Sequence, residues 1–94
     1  MRESQIENPV VKRAEAAGYY CRKVSWLGRR SAPDRFFSRK DRGQLFVVFK
    51  KPGARATLAQ TLEHDRMRAA GIEVHVCDNI DDAMRLLWLR REGS

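Results

Sequence analysis

Apolar residues at Ile6, Val10, Val11, Ala14 and Ala17 recur with the period of a helix, so residues 4–17 are expected to form one with a single buried face. Gly18 provides its stop. Two starts fit: Ser4 and Glu7 have the spacing of a capping box, whereas Asn8 would cap a helix beginning at Pro9. From Tyr19 to Trp26, aromatic and β-branched residues dominate and predict a first strand. The polar run from Leu27 to Pro33, broken by Gly and Pro, is a loop. Asp34–Ser38 and Leu45–Lys50 read as two further strands. Asp41-Arg42-Gly43 joins them, with a glycine for the positive φ of a hairpin turn. Alternation along Leu45–Lys50 places Phe46, Val48 and Lys50 on one side and Leu45, Val47 and Phe49 on the other.

The pattern changes period again after Pro52-Gly53. Thr57 caps a helix over 58–70, Gln60 completes a second capping box, and Gly71 ends it. Leu58, Leu62, Ala69 and Ala70 are its apolar side. Ile72, Val74 and Val76 alternate with Glu73 and His75, the period of a half-buried strand reaching Cys77. Asn79 caps a last helix to about Arg90, with Ile80, Ala83, Met84 and Leu87 inward and Trp88 at the stripe's edge, as a contact between copies or as core. The element order is α-β-β-β-α-β-α. It predicts an α/β (α+β) fold, a mixed central sheet flanked by helices.

Ninety-four residues allow one domain, 1–94, and 43% hydrophobic content argues for a folded core over disorder. Nineteen Lys and Arg against twelve Asp and Glu give a net charge of +7, which points to a polyanionic partner, nucleic acid first. Arg22, Lys23, Arg29, Arg30, Arg35, Arg39, Lys40, Arg42, Lys50, Lys51 and Arg55 gather in the middle of the chain, where they would grip phosphates. Cys21 and Cys77 are too few for a disulfide framework, and with His64 and His75 they form no zinc spacing. Two reduced thiols in a cytoplasm are the expectation. No apolar run reaches the roughly 18 residues of a membrane span, and Met1–Gln5 has no apolar signal core.

Chemistry is concentrated near Asp34 and Lys50. Val48 shares a strand face with Lys50, so an acid at that position would stand beside the lysine and meet Asp34 across the hairpin. Such a pair of carboxylates would hold a divalent cation for phosphodiester hydrolysis. Each residue also has an ordinary reading. Pro33-Asp34 is a common turn dipeptide, Lys50 is a strand-end lysine, and Glu7 and Gln60 are capping residues.

Taken together, Glu7, Gly18, Lys23, Arg29 through Arg35, Phe46 through Gly53, Gln60 and the 68–74 segment resemble the VRR-NUC branch of the PD-(D/E)XK nucleases over nearly the whole chain. The resemblance implies a restriction-endonuclease-like core and a small phage-type protein acting in a bacterial cell. It implies Mg²⁺ or Mn²⁺ as cofactor, branched DNA of the Holliday-junction kind as substrate, and a homodimer. Residue by residue, it makes Asp34 the central metal ligand, Glu7 an auxiliary acid, and the Phe49 backbone carbonyl a further ligand. Lys50 becomes the catalytic lysine, Gln60 a group positioning water or phosphate, and Lys23, Arg29, Arg30, Arg35 and Lys51 DNA contacts.

Two positions depart from the pattern. Ser31 stands where glycine is usual, and Val48 stands in place of the second acid. Valine binds no cation, so cleavage is expected to be impaired, and Glu63 is too constrained on its helix to substitute. The alternative is a non-catalytic protein that keeps the fold and binds branched DNA.

Overall fold

The computed structural model describes residues 1–27 and 31–90. Its elements are α1 (Ser4–Ala16), β1 (Tyr20–Lys23), β2 (Arg35–Arg39), β3 (Gly43–Phe49), α2 (Leu58–Ala69), β4 (Val74–Cys77) and α3 (Ile80–Leu86). The strands form one sheet in the order β1-β2-β3-β4, antiparallel for the first two pairings and parallel between β3 and β4. A parallel pair needs a crossover, and α2 supplies it.

The predicted order of elements is the observed one. α1 starts at Ser4, but Glu3 occupies the cap position without a side-chain bond, and Pro9 lies inside the helix. The Ser4–Glu7 box does not form, because Glu7 turns to Arg35. β1 ends at Lys23, short of the predicted Trp26, which leaves the sheet to rest its ring against Phe46. The hairpin is tight, with Gly43 at φ +91° where β3 begins. α3 stops at Leu86, four residues before the expected end, and Trp88 beyond it takes a positive φ of 56°.

One sheet face carries the core. Cys21, Phe37, Leu45, Val47, Phe49 and Cys77 meet Ile6, Val10, Val11 and Ala14 of α1 and Ala83 and Met84 of α3. These large side chains, fully withdrawn from water, are the main source of stability. Tyr19 joins them with its hydroxyl donating to the Leu87 carbonyl at 2.6 Å.

α2 lies on the opposite face, over β4, with an orientation that contradicts the apolar pattern. Leu58 and Leu62 are exposed, as are Ala69 and Ala70; the buried residues are His64 and Met67. Gln60 and Glu63 are half-buried with them, so the inward stripe is 60, 63, 64 and 67. The predicted inward face of the last strand also shifts. Ile72 and Val76 are partly exposed, and Val74 and Cys77 are the buried pair.

Candidate active site

The site forms where the β2–β3 ladder breaks. Regular pairing ends at Arg35↔Val47. Beyond it the Asp34 N–H donates to the Val47 carbonyl at 3.1 Å, and the Asp34 carboxylate accepts from the Phe49 N–H at 2.7 Å. These two bonds bracket Val48. On its other side the Asp34 carbonyl accepts from the N–H of Val24, just past β1, so the residue is held from both neighbouring segments of backbone.

Asp34 is half-buried, and this burial raises its carboxyl pKa above the ordinary value. The Phe49 N–H and the charge of Lys50 oppose the rise, whereas the charges of Glu7 and Glu3 add to it. One carboxyl is thus under the influence of α1's acids and of the lysine after β3. Perturbation of this kind is concentrated at functional sites, although the bond to the Phe49 N–H also gives Asp34 a structural role.

Val48 is 1% exposed and lies outside the α1–α3 core, as alternation requires. Lys50 follows on the same side, half-buried, its N–H bonded to the Cys77 carbonyl at 2.9 Å. Glu7 faces Asp34 electrostatically but is engaged with Arg35, Nε to Oε2 at 2.5 Å. The pair is mostly buried, so Arg35 holds an acid here through its Nε.

Gln60 is occupied too. Its Oε1 accepts from the Thr57 N–H at 2.9 Å, and the Thr57 hydroxyl accepts from the Gln60 N–H at 3.1 Å. The second capping box is therefore real. Glu63 pairs with Arg66 on the same helix. Lys23 and Lys51 are exposed, whereas Arg29 and Arg30 lie outside the described residues. Arg39 and Arg42, also counted as phosphate contacts above, are engaged with Asp41 and with Glu73.

Two neighbours of the site were not found by pattern. Glu3 acts on Asp34 from the start of α1. His64, 1% exposed, keeps Nε2 buried without a hydrogen-bond partner, and its pKa is lowered first by burial and then by the charge of Arg68. Lys50 lowers it further, which sets this imidazole within electrostatic reach of the lysine. The spacing was a usable signal, for His64 is one helical turn beyond Gln60 and shares its face.

The donors do not suit a resident Mg²⁺. Such an ion takes near-octahedral oxygen, usually with one or two carboxylates free to bind it. Here one Asp34 oxygen is bonded to Phe49, Glu7 is bonded to Arg35, and Val48 offers no donor. Among the described residues, no three His, Cys, Asp or Glu come together closely enough to hold an ion.

A solved structure described as a VRR_NUC domain superposes with a TM-score of 0.81, is 31% identical, and is matched over 92% of this chain and 94% of its own. A phage protein named "Putative nuclease p44", from Acyrthosiphon pisum secondary endosymbiont phage 1, is 36% identical over 81 residues, 86% of this chain and 87% of that protein. The chain belongs to the VRR-NUC family. No family model matches it. VRR-NUC membership makes this a nuclease-type domain. Among the described residues, no helix of this VRR-NUC domain is long and apolar enough to cross a membrane.

Proposed function

We propose that the chain is a structure-selective DNA endonuclease domain of the divalent-metal-dependent type, acting on branched DNA, and that Val48 impairs its phosphodiester hydrolysis. The observation that carries this reading is Val48 itself, an apolar side chain bracketed by the two bonds of Asp34 and followed on the same face by Lys50.

In this reading a carboxylate at 48 would complete a site at which Mg²⁺ or Mn²⁺ supplies charge neutralisation and an activated water; the donors left here, Asp34, the Phe49 carbonyl and Glu7, do not complete it. The chain's own part is clearer. Lys50 brings a positive charge to the scissile phosphate, where developing negative charge is stabilised. The raised pKa of Asp34 makes it a better proton acceptor than a solvated aspartate. Gln60 is a positioning group only if it leaves Thr57. Lys23 and Lys51 take flanking phosphates, as do Arg29 and Arg30. Two sites facing two strands of a branch require a homodimer, which sedimentation would detect. The reduced, buried thiols Cys21 and Cys77 suit a bacterial cytoplasm.

A second reading is a non-catalytic branched-DNA-binding protein, favoured by the absence of a three-ligand cluster among the described residues. Nicking of a four-way DNA junction in Mg²⁺ or Mn²⁺, run on the parent chain and on Val48→Glu, separates the two. Cleavage gained by Val48→Glu supports the impaired nuclease. Junction binding without any gain rejects it and leaves the binding protein.

A further inference from the structure

α2 covers β4 but reaches neither β1 nor β2, and α1 and α3 occupy the other face. Among the described residues, the half of the sheet away from the core is therefore left without a helix. A water-facing half-sheet normally presents polar side chains. This one presents aromatic rings.

Tyr20, Phe36, Phe46 and Trp26 run across it in an unbroken series. Ring centroids are 6.3 Å apart for Tyr20–Phe36, 5.0 Å for Phe36–Phe46 and 6.0 Å for Phe46–Trp26. Tyr20 is 53% exposed, and the other three are half-buried. The Arg22 guanidinium lies 4.0 Å from the Tyr20 ring centroid, at the outer end of the row.

Charge is arranged to match. The strand residues sharing this face on β1, β2 and β3 include no acid, Asp34 standing one residue before β2, and its cations sit at the two ends, Arg22 on β1 and Lys50 past β3. Phe46 and Val48 are two positions apart on β3, about 7 Å. The aromatic row thus starts beside the candidate active site and leads away from it.

We propose that this face is a stacking platform for the unpaired bases of a single DNA strand, which passes from Lys50 over Phe46 and Phe36 to Tyr20, with Arg22 at its far phosphate. The inference rests on DNA being the substrate and adds which part of it is gripped. Aromatic rings, tilted or edge-on to one another and flanked by cations at both ends, suit single-stranded nucleic acid, because every base has a face to stack and the cations neutralise phosphates at either end. A paired duplex has no free base faces and gains nothing from the rings.

The test compares fluorescence anisotropy of a blunt duplex, the same duplex with a single-stranded flap, and an oligothymidylate. Tyr20→Ala is expected to weaken flap and oligothymidylate binding about tenfold, within the range for loss of one stacked base, and to leave the duplex unchanged. Tyr20→Phe, which keeps the ring, should bind as the parent does. In a Trp88→Phe background, oligothymidylate should quench the remaining Trp26 emission. Equal losses on duplex and flap, no loss on either, or unquenched Trp26 would each overturn the platform while duplex binding leaves the DNA reading standing. Absence of salt-dependent binding to any of the three DNAs would overturn both. A monomer–dimer shift caused by Tyr20→Ala would show that a second copy covers the face, and so would also overturn the proposal.

Discussion

Val48→Glu should convert the protein from one whose stability ignores divalent cations into one that depends on them. Val48 is 1% exposed, so the substitution removes a buried aliphatic side chain, about 1.5 kcal/mol for valine at the low end. It also buries a carboxyl beside Asp34, whose own pKa is already raised by burial. An unpaired buried polar group adds about 1–3 kcal/mol, for a total of about 2.5–4.5 kcal/mol. For a chain of 94 residues, that lowers Tm by about 10–25 °C. An ion bound between the new carboxylate and Asp34 reverses much of this. At a hundred times its Kd it returns about 2.7 kcal/mol, or about 11–20 °C. Thermal melts by circular dichroism, with EDTA and then with a Mn²⁺ or Mg²⁺ titration, read both terms. The parent chain should move by no more than a degree or two. A Val48→Glu protein whose Tm is indifferent to both metals would refute the idea that position 48 is a lost ligand position. So would a parent chain stabilised as strongly as the variant.

Asp34→Asn should raise Tm, since it removes a desolvated charge near Glu7 and Glu3 yet keeps an oxygen for the Phe49 N–H; Asp34→Ala should lower stability by about 1–3 kcal/mol by orphaning that donor. His64 has a lowered pKa, so the unfolded chain binds its proton first as pH falls below about 6.5, and stability should decline with acidity from there. Urea denaturation at pH 7.5 and 5.5 should show that decline reduced in His64→Phe. Asp34, with a raised pKa, acts in the opposite direction, so the His64 contribution is best read in Asp34→Asn. Glu73 is held down to about 2 chiefly by its bonds from Arg42. Its stabilisation is complete above the ordinary carboxylate range and is lost as pH falls toward 2, and Glu73→Gln should remove that acid-sensitive component. DNA affinity of the parent should fall steeply between 50 and 200 mM salt if phosphates are gripped, a slope that Lys51→Ala reduces by about one unit.

Element order and the hairpin were legible because they depend on local period and turn chemistry. Asn79 and Thr57 did cap their helices, and Ile80, Ala83, Met84 and Leu87 did turn inward. α2 was misread for a physical reason. Its buried stripe runs through Gln60, Glu63, His64 and Met67, and three of these four are polar, so a hydrophobicity pattern selects the opposite side. β1 was overextended because aromatic residues favour strands, yet Trp26 serves Phe46 from outside the ladder. The placement of Asp34 against β3 beside Val48 follows from the hairpin that the sequence predicts. The engagement of Glu7 with Arg35 was not legible, since those residues lie 28 apart in sequence and compete with a nearby capping option.

The bond from the Phe49 amide to Asp34 has a consequence for how such a site decays. The acid position at 48 contributes only a side chain, so replacing it by valine leaves the β-ladder intact and fills the space with a good strand former. Asp34 closes a backbone gap that no apolar residue would close. A lineage released from selection for cleavage would therefore discard the carboxylate at 48 early and keep the aspartate for folding. On the reading proposed above, a surviving aspartate at this place would be a record of architecture, and the residue two before the lysine would be the one that reports cleavage.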